Sequence, residues 1–279
     1  MNSKTTAIIQ ARMPSSRLPG KVLMEIAGQA ALVHVVERTR RATTVDEVIV
    51  ATTADPSDDL IASLCDERGY PFYRGSVQDV LDRYYQAASF FHSRTIVRIT
   101  GDCPLIDPDV IDKTVLAFFG LSAAEAHQQA MKDGSPPWDF AANRLPPPWG
   151  RTYPIGLDTE VCSFSGLELA WNEADQPHQR EHVMPFFYEQ PDRFRIHLVN
   201  HDVDFGSLRW TLDTPEDLEL IRQIFQHFPG RNDFSWLEIL DLLVRKPELN
   251  QINASVQHKH YREIDTRHEA AEATRHSPN

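Results

Sequence analysis

Short apolar runs alternate along the first half of the chain with longer stretches in which apolar residues recur every three or four positions. Ala7 to Ala11 is a strand-length apolar run. Ala30 to Arg41 gathers Leu32, Val33, Val35 and Val36 on one side, as a helix packed on a core requires. Glu47 to Thr53 is rich in β-branched residues and predicts a second strand. Asp55 and Pro56 supply a cap and a first-turn proline for a helix ending near Gly69. Tyr70 to Tyr73 follows as a third strand. Ser76 to Asp79 resembles a capping box, and the helix beyond it puts Val77, Val80, Leu81, Tyr84 and Tyr85 on one face. Thr95 to Thr100 predicts a fourth strand, and Asp107-Pro108 opens a helix reaching about Phe119. Strands and helices in this alternation imply an α/β fold, a mostly parallel sheet covered on both faces. Such sheets bind ligands at the carboxyl ends of their strands.

The second half is less regular. Residues 121–150 are rich in alanine, glutamine and proline and read as an irregular excursion. Strands are expected at 159–164, 195–200 and 208–212, with helices near 166–174 and 179–190. Thr214-Pro215-Glu216-Asp217 opens a further helix. Past Pro247 the chain turns polar and histidine-rich, so we expect one domain over 1–246 and a tail over 247–279.

With 279 residues, 41% of them hydrophobic, the chain can bury a sizeable core. Its 28 basic and 40 acidic residues give a net charge of −12, which argues against nucleic acid as a partner. A local phosphate site survives that background, because a few clustered cations dominate at contact distance. Cys65, Cys103 and Cys162 are scattered and read as free thiols. No run reaches the length of a membrane span, and the opening residues lack the pattern of a secretory signal. A cytoplasmic location is expected.

Chemistry concentrates in the loop after the first strand. From Gln10 to Lys21 it carries three cations (Arg12, Arg17 and Lys21), two hydroxyls (Ser15 and Ser16) and Gly20. Polyphosphate binding needs such parts, namely hydroxyl and amide donors with Arg or Lys to offset charge. No Walker A pattern is present. On composition alone a solvated basic loop fits equally. Asp102 and Asp213 each fall at the end of a predicted strand, where two carboxylates could share a Mg2+ ion; turn chemistry is the alternative for each. Asp202-x-Asp204 mimics a glycosyltransferase metal motif but lies in a predicted turn and is set aside.

The run I-I-Q-A-R-M-x-S-S-R-L-P-G-K-V-L over residues 8–23 resembles the opening signature of the SpsF-type cytidylyltransferases, relatives of the CMP-sialic acid and CMP-Kdo synthetases. Pro14 stands where that family more often has glycine. The resemblance implies a GT-A-like three-layer fold, CTP as donor, a sugar-like acceptor and Mg2+ as cofactor, and it leaves room for a homodimer. It carries the nucleotide triphosphate onto Ala11, Arg12, Ser15, Ser16 and Lys21, and the metal onto Asp102 and Asp213 through T-G-D-C-P and W-T-L-D-T-P. Arg12, Lys21, Asp102 and Asp213 are then the expected catalytic set. The segment R-G-S-x-x-D-V-L-D-R-Y offers Arg74, Ser76 and Asp79 to the base or ribose, although helix capping accounts for Ser76 and Asp79 as well. Asn143, Asp158, Glu160 and His182 are expected on the acceptor side, His182 with a structural role as its alternative. Two rival readings remain: a GT-A glycosyltransferase using a preformed nucleotide sugar, and a non-catalytic nucleotide-binding protein.

Overall fold

A computed structural model describes residues 4–122, 136–146 and 149–257. Its centre is a seven-stranded sheet of order β5-β4-β1-β6-β8-β7-β9. The strands are β1 (Thr5–Gln10), β4 (Glu47–Thr53), β5 (Phe72–Gly75), β6 (Thr95–Thr100), β7 (Phe140–Ala142), β8 (Glu160–Ser163) and β9 (Ile196–Leu198). β2 (Glu25–Ile26) and β3 (Gln29–Ala30) form a separate small hairpin. β5, β4, β1 and β6 run parallel to one another, β8 is antiparallel to both its neighbours, and β9 is parallel to β7. The expected mixed, mostly parallel α/β sheet is therefore present.

Period-two alternation within fully apolar strands builds a core on each face. Ala7, Ile9, Val48, Val50, Val97 and Ile99 point to one side, where helices α1 (Ala31–Thr39), α2 (Asp59–Arg68) and α4 (Pro108–Phe118) cover them. Ile8, Ile49, Ala51 and Ile96 point to the other, under α3 (Val80–Phe90) and the helix Phe164–Glu173. A third cluster joins the helices Pro215–Gln226 and Trp236–Arg245 around Trp210, Tyr153 and Leu212.

Several expectations need correction. The helix after β5 is capped by Asp79, whose side chain accepts from the Asp82 amide, and not by Ser76. Ser76 Oγ instead accepts from the Asp79 amide within the preceding turn. The expected helix over 179–190 breaks into Pro177–His182 and Pro185–Tyr188. At the break, buried Val183 has φ 69 and ψ −59, and the Met184 amide donates to the His182 carbonyl at 2.8 Å. That is a γ-turn of the rare positive-φ kind, strained for a β-branched residue. Leu208–Leu212 makes no ladder, only an isolated bridge from Arg209 to Ile155. Within 121–150, part of which lies outside the described residues, Phe140–Ala142 is a strand inside the sheet. The packed chain also continues past residue 246: Pro247–Gln251 forms a 3-10 helix with Leu249 in the third cluster, and Asn253 is buried.

Candidate active site

A cleft opens at the carboxyl ends of β1 and β6, as expected for parallel strands, with a cavity of about 310 Å³. Its floor is set by close backbone approach. Gly101 donates its amide to the Gln10 carbonyl at 2.8 Å, and a Cβ at residue 101 would sit 2.8 Å from that oxygen, so only glycine fits. Asp102 follows at once. Its carbonyl accepts from the Leu212 amide at 2.7 Å and from the Thr211 hydroxyl at 3.2 Å. This backbone clasp brings Asp213 beside Asp102 from the opposite half of the chain. Gly156 (φ 105) supports it from beneath: a Cβ there would meet the Trp210 backbone at 2.6 Å.

The two carboxylates converge on one cation. Lys21 Nζ donates to Asp102 Oδ2 at 2.5 Å and to Asp213 Oδ1 at 2.7 Å. Burial alone would lower the Lys21 pKa, but the two carboxylates outweigh it and raise it. Burial alone would raise the Asp213 pKa, yet Lys21, Arg17 and Arg209 hold it well below the usual carboxylate range. Arg17 reaches Asp213 Oδ2 at 2.9 Å, and Arg209 Nη2 reaches the same oxygen at 2.7 Å.

Arg209 is itself fixed by buried Asp217, which accepts from its Nε at 3.0 Å and also from the Asp213 and Thr214 amides. Thr214 and Asp217 complete the expected capping box. Asn253, inside the stretch expected to be a tail, donates to Asp217 at 2.8 Å and to the Arg209 carbonyl at 2.9 Å.

The loop after β1 lines the same cleft with Ala11, Arg12, Ser15 and Ser16. It is anchored by Asp58, fully buried, which accepts from the Met13 amide at 2.6 Å and from the Thr53 hydroxyl at 2.5 Å. Nothing in the sequence marked Asp58, because the loop amide it anchors, that of Met13, lies far upstream in the chain. Across the cleft Glu181 approaches Arg12 at 3.8 Å, and His182 lines the wall beside it. The strained turn at Val183 fixes both residues at the rim, where stored backbone strain is often found at functional sites.

On the β8 side Glu160 pairs with Arg98, and Arg98 Nε donates to the Gln10 side chain at 3.2 Å. Asp158 accepts a two-pronged contact from Arg151 at 2.9 and 3.1 Å, with Arg144 Nε at 3.4 Å. Arg98, Arg144, Asp158 and Glu160 all line the cleft.

Four of the residues singled out in the sequence do not reach the cleft lining. Arg74 donates to the Thr53 and Asp55 carbonyls and pairs with Asp59 at 2.7 Å. Ser76 and Asp79 serve the turn and cap described above, and Asp79 also holds Arg180. Asn143 is fully buried, its amide nitrogen donating to the Leu157 carbonyl and its oxygen accepting from the Thr159 amide. Residues that the sequence reading passed over, Arg83, Arg98 and Arg144, do line it. Their signal was weak because isolated arginines in strands and helices look like surface residues.

The mixed, mostly parallel sheet and its cleft are those of a nucleotidyltransferase enzyme. A family model for cytidylyltransferases matches residues 6–252, and the chain belongs to that family, in its SpsF-type branch. It is 30% identical over 248 residues to the spore coat polysaccharide biosynthesis protein SpsF of Bacillus subtilis, covering 86% of this chain and 94% of that protein. A cytidylyltransferase from Leptospira borgpetersenii superposes with a TM-score of 0.79 at 30% identity, covering 91% of this chain and 99% of the other. CMP:2-keto-3-deoxy-manno-octonic acid synthetase in complex with CTP shares the fold, with a TM-score of 0.57 at 21% identity over 81% of this chain and all of that one (100%). Among the described residues, no helix is long and apolar enough to cross a membrane.

Proposed function

We propose that the protein moves the cytidylyl group of CTP onto an oxygen of a sugar or sugar-acid acceptor, with Mg2+ as cofactor and pyrophosphate as second product, on a GT-A-like sheet. The placement of such a reaction in surface polysaccharide synthesis follows from its likeness to SpsF. The observation that carries the reading is the meeting of Asp102 and Asp213 on a single ammonium, 2.5 and 2.7 Å away, under the basic loop. Two carboxylates already gathered around one positive charge suit Mg2+, which is usually held by one or two carboxylates with substrate phosphates and water. Asp102 and Asp213 would hold the ion, which when bound offsets charge on the phosphates.

In the reaction an acceptor hydroxyl oxygen bonds to the α-phosphorus and gives up its proton to water, while the bond from that phosphorus to the β-phosphate oxygen breaks and pyrophosphate leaves with the electron pair. Arg12, Ser15, Ser16 and Lys21 would carry the triphosphate, with Arg17 close enough to assist. Arg98 with Glu160 and Arg144 with Asp158 form a rigid polar wall opposite, suited to orienting a hydroxylated acceptor before attack. Positioning and charge carry most of the rate enhancement in this chemistry, so no nucleophilic triad is required.

The test is pyrophosphate release from CTP and Mg2+ across a panel of sugar acids and neutral sugars. Release that depends on the acceptor and is lost in Asp213→Asn supports the reading. Release of a free nucleoside diphosphate from a nucleotide sugar would replace it with glycosyl transfer.

A further inference from the structure

The stretch after Pro247, expected from the sequence to be a tail, reaches both of the arginines that grip Asp213. Its 3-10 helix is seated by Leu249 in the third apolar cluster. A turn follows, in which the Ile252 amide donates to the Leu249 carbonyl at 3.2 Å and the Val256 amide to the Asn253 carbonyl at 3.0 Å. The turn delivers Asn253, 6% exposed, to the buried pair of Arg209 and Asp217. Its side-chain amide has two protons to donate, and each finds an acceptor: Asp217 Oδ1 at 2.8 Å and the Arg209 carbonyl at 2.9 Å. Four residues on, the Gln257 carbonyl accepts from Arg17 Nη1 at 3.3 Å. One short segment thus touches the backbone of one arginine and the guanidinium of the other.

Both arginines end on the same atom. Arg17 and Arg209 lie 2.9 and 2.7 Å from Asp213 Oδ2, while Lys21 takes Oδ1 at 2.7 Å. The last torsion of an aspartate is soft, so an unsupported carboxylate turns its oxygens freely. Two guanidinium groups on Oδ2 stop that rotation and leave Oδ1 turned toward Lys21, which Asp102 shares. We infer that Asn253 is a positioning residue for the metal step: it locks Arg209 to Asp217, Arg209 fixes Oδ2, and Oδ1 stays aimed at the Mg2+ site. The assignment rests on the metal-dependent reading above. Asn253 does not line the cleft, so it acts only through Arg209 and Asp217. Mg2+ demands near-octahedral geometry, which makes the aim of each carboxylate oxygen matter. Groups that hold a metal ligand from behind tune its affinity for the ion.

The experiment titrates CTP into wild type, Asn253→Leu and Asn253→Ala by calorimetry, once with EDTA and once with Mg2+, and records a melting temperature for each protein. Both variants should bind metal-free CTP within about twofold of wild type, while the gain in CTP affinity that Mg2+ brings shrinks at least about tenfold. If Asn253→Leu does not fold, Asn253→Ala decides, since it removes the donors without adding bulk. A double-mutant cycle separates aim from simple support. Added to Arg209→Met, Asn253→Leu should take less than about twofold further from the Mg2+ gain, because both changes break one linkage. A full further loss in that background overturns the assignment, as does a lowered melting temperature with an unchanged Mg2+ gain. A wild type whose CTP binding ignores Mg2+ sinks the metal-dependent reading itself. A wild type that responds to Mg2+ while both variants respond equally sinks the Asn253 assignment alone.

Discussion

Two segments of this chain look alike in sequence and behave differently in the fold. The loop after β1 and the turn after β5 both follow a parallel strand, and both combine arginine with serine. After β1, the cations reach acids contributed by remote parts of the chain, Lys21 to Asp102 and Asp213, and Arg17 to Asp213. After β5, Arg74 and Asp79 bind backbone and neighbours that belong to the scaffold. Sheet order supplies the reason. β1 lies between β4 and β6, so the loop leaving it opens on the cleft, while β5 is the edge strand and its turn closes the sheet's side. Composition proposes a site; strand position decides whether the side chains meet anything reactive.

Mutations can break this contrast, and the largest effect belongs to the cleft floor. Asp213→Asn should lower turnover on the order of a thousandfold while the circular dichroism spectrum stays native; near-normal steady-state rates would remove the carboxylate pair from the mechanism. Arg209→Met leaves Asp217 without its buried partner and should cost about 3 kcal/mol in urea unfolding, with turnover falling as Asp213 loses a contact. Wild-type stability in that variant would mean that Asp217 is held by its amide donors alone. Asp79→Ala removes a helix cap and should cost about 1 kcal/mol, with only a small change in rate. Arg74→Ala, whose ion pair is half exposed, should shift stability by less than about 1 kcal/mol and change the rate for CTP by less than about twofold. A tenfold loss of CTP affinity in Arg74→Ala would erase the distinction between the two segments.

The alternation of strands and helices through α4 was legible because fully apolar runs and capped helix starts are local signals. Asp102 and Asp213 were legible for a related reason, since each follows an extended segment directly. What stayed hidden depends on contacts between distant residues. Phe140–Ala142 is only three residues long in a proline-rich stretch, yet neighbouring strands on both sides make it part of the sheet. Leu208–Leu212 has the composition of a strand, but its amides and carbonyls pair with turns at Ile155 and Asp102 in place of a ladder. Val183 gives no local sign of a left-handed turn. Asn253 looked like part of a polar tail because its two partners, Arg209 and Asp217, sit far upstream.

The hydrogen bond from Leu212 to Asp102 has a consequence for how the protein acquires its activity. It ties together stretches that ribosomal synthesis delivers at very different times, so the paired acids cannot assemble until the later stretch has emerged and docked. Contacts of such long sequence separation form slowly, since the entropy of closing the intervening loop must be overcome first. Regain of catalysis after denaturant dilution therefore lags behind regain of helical signal.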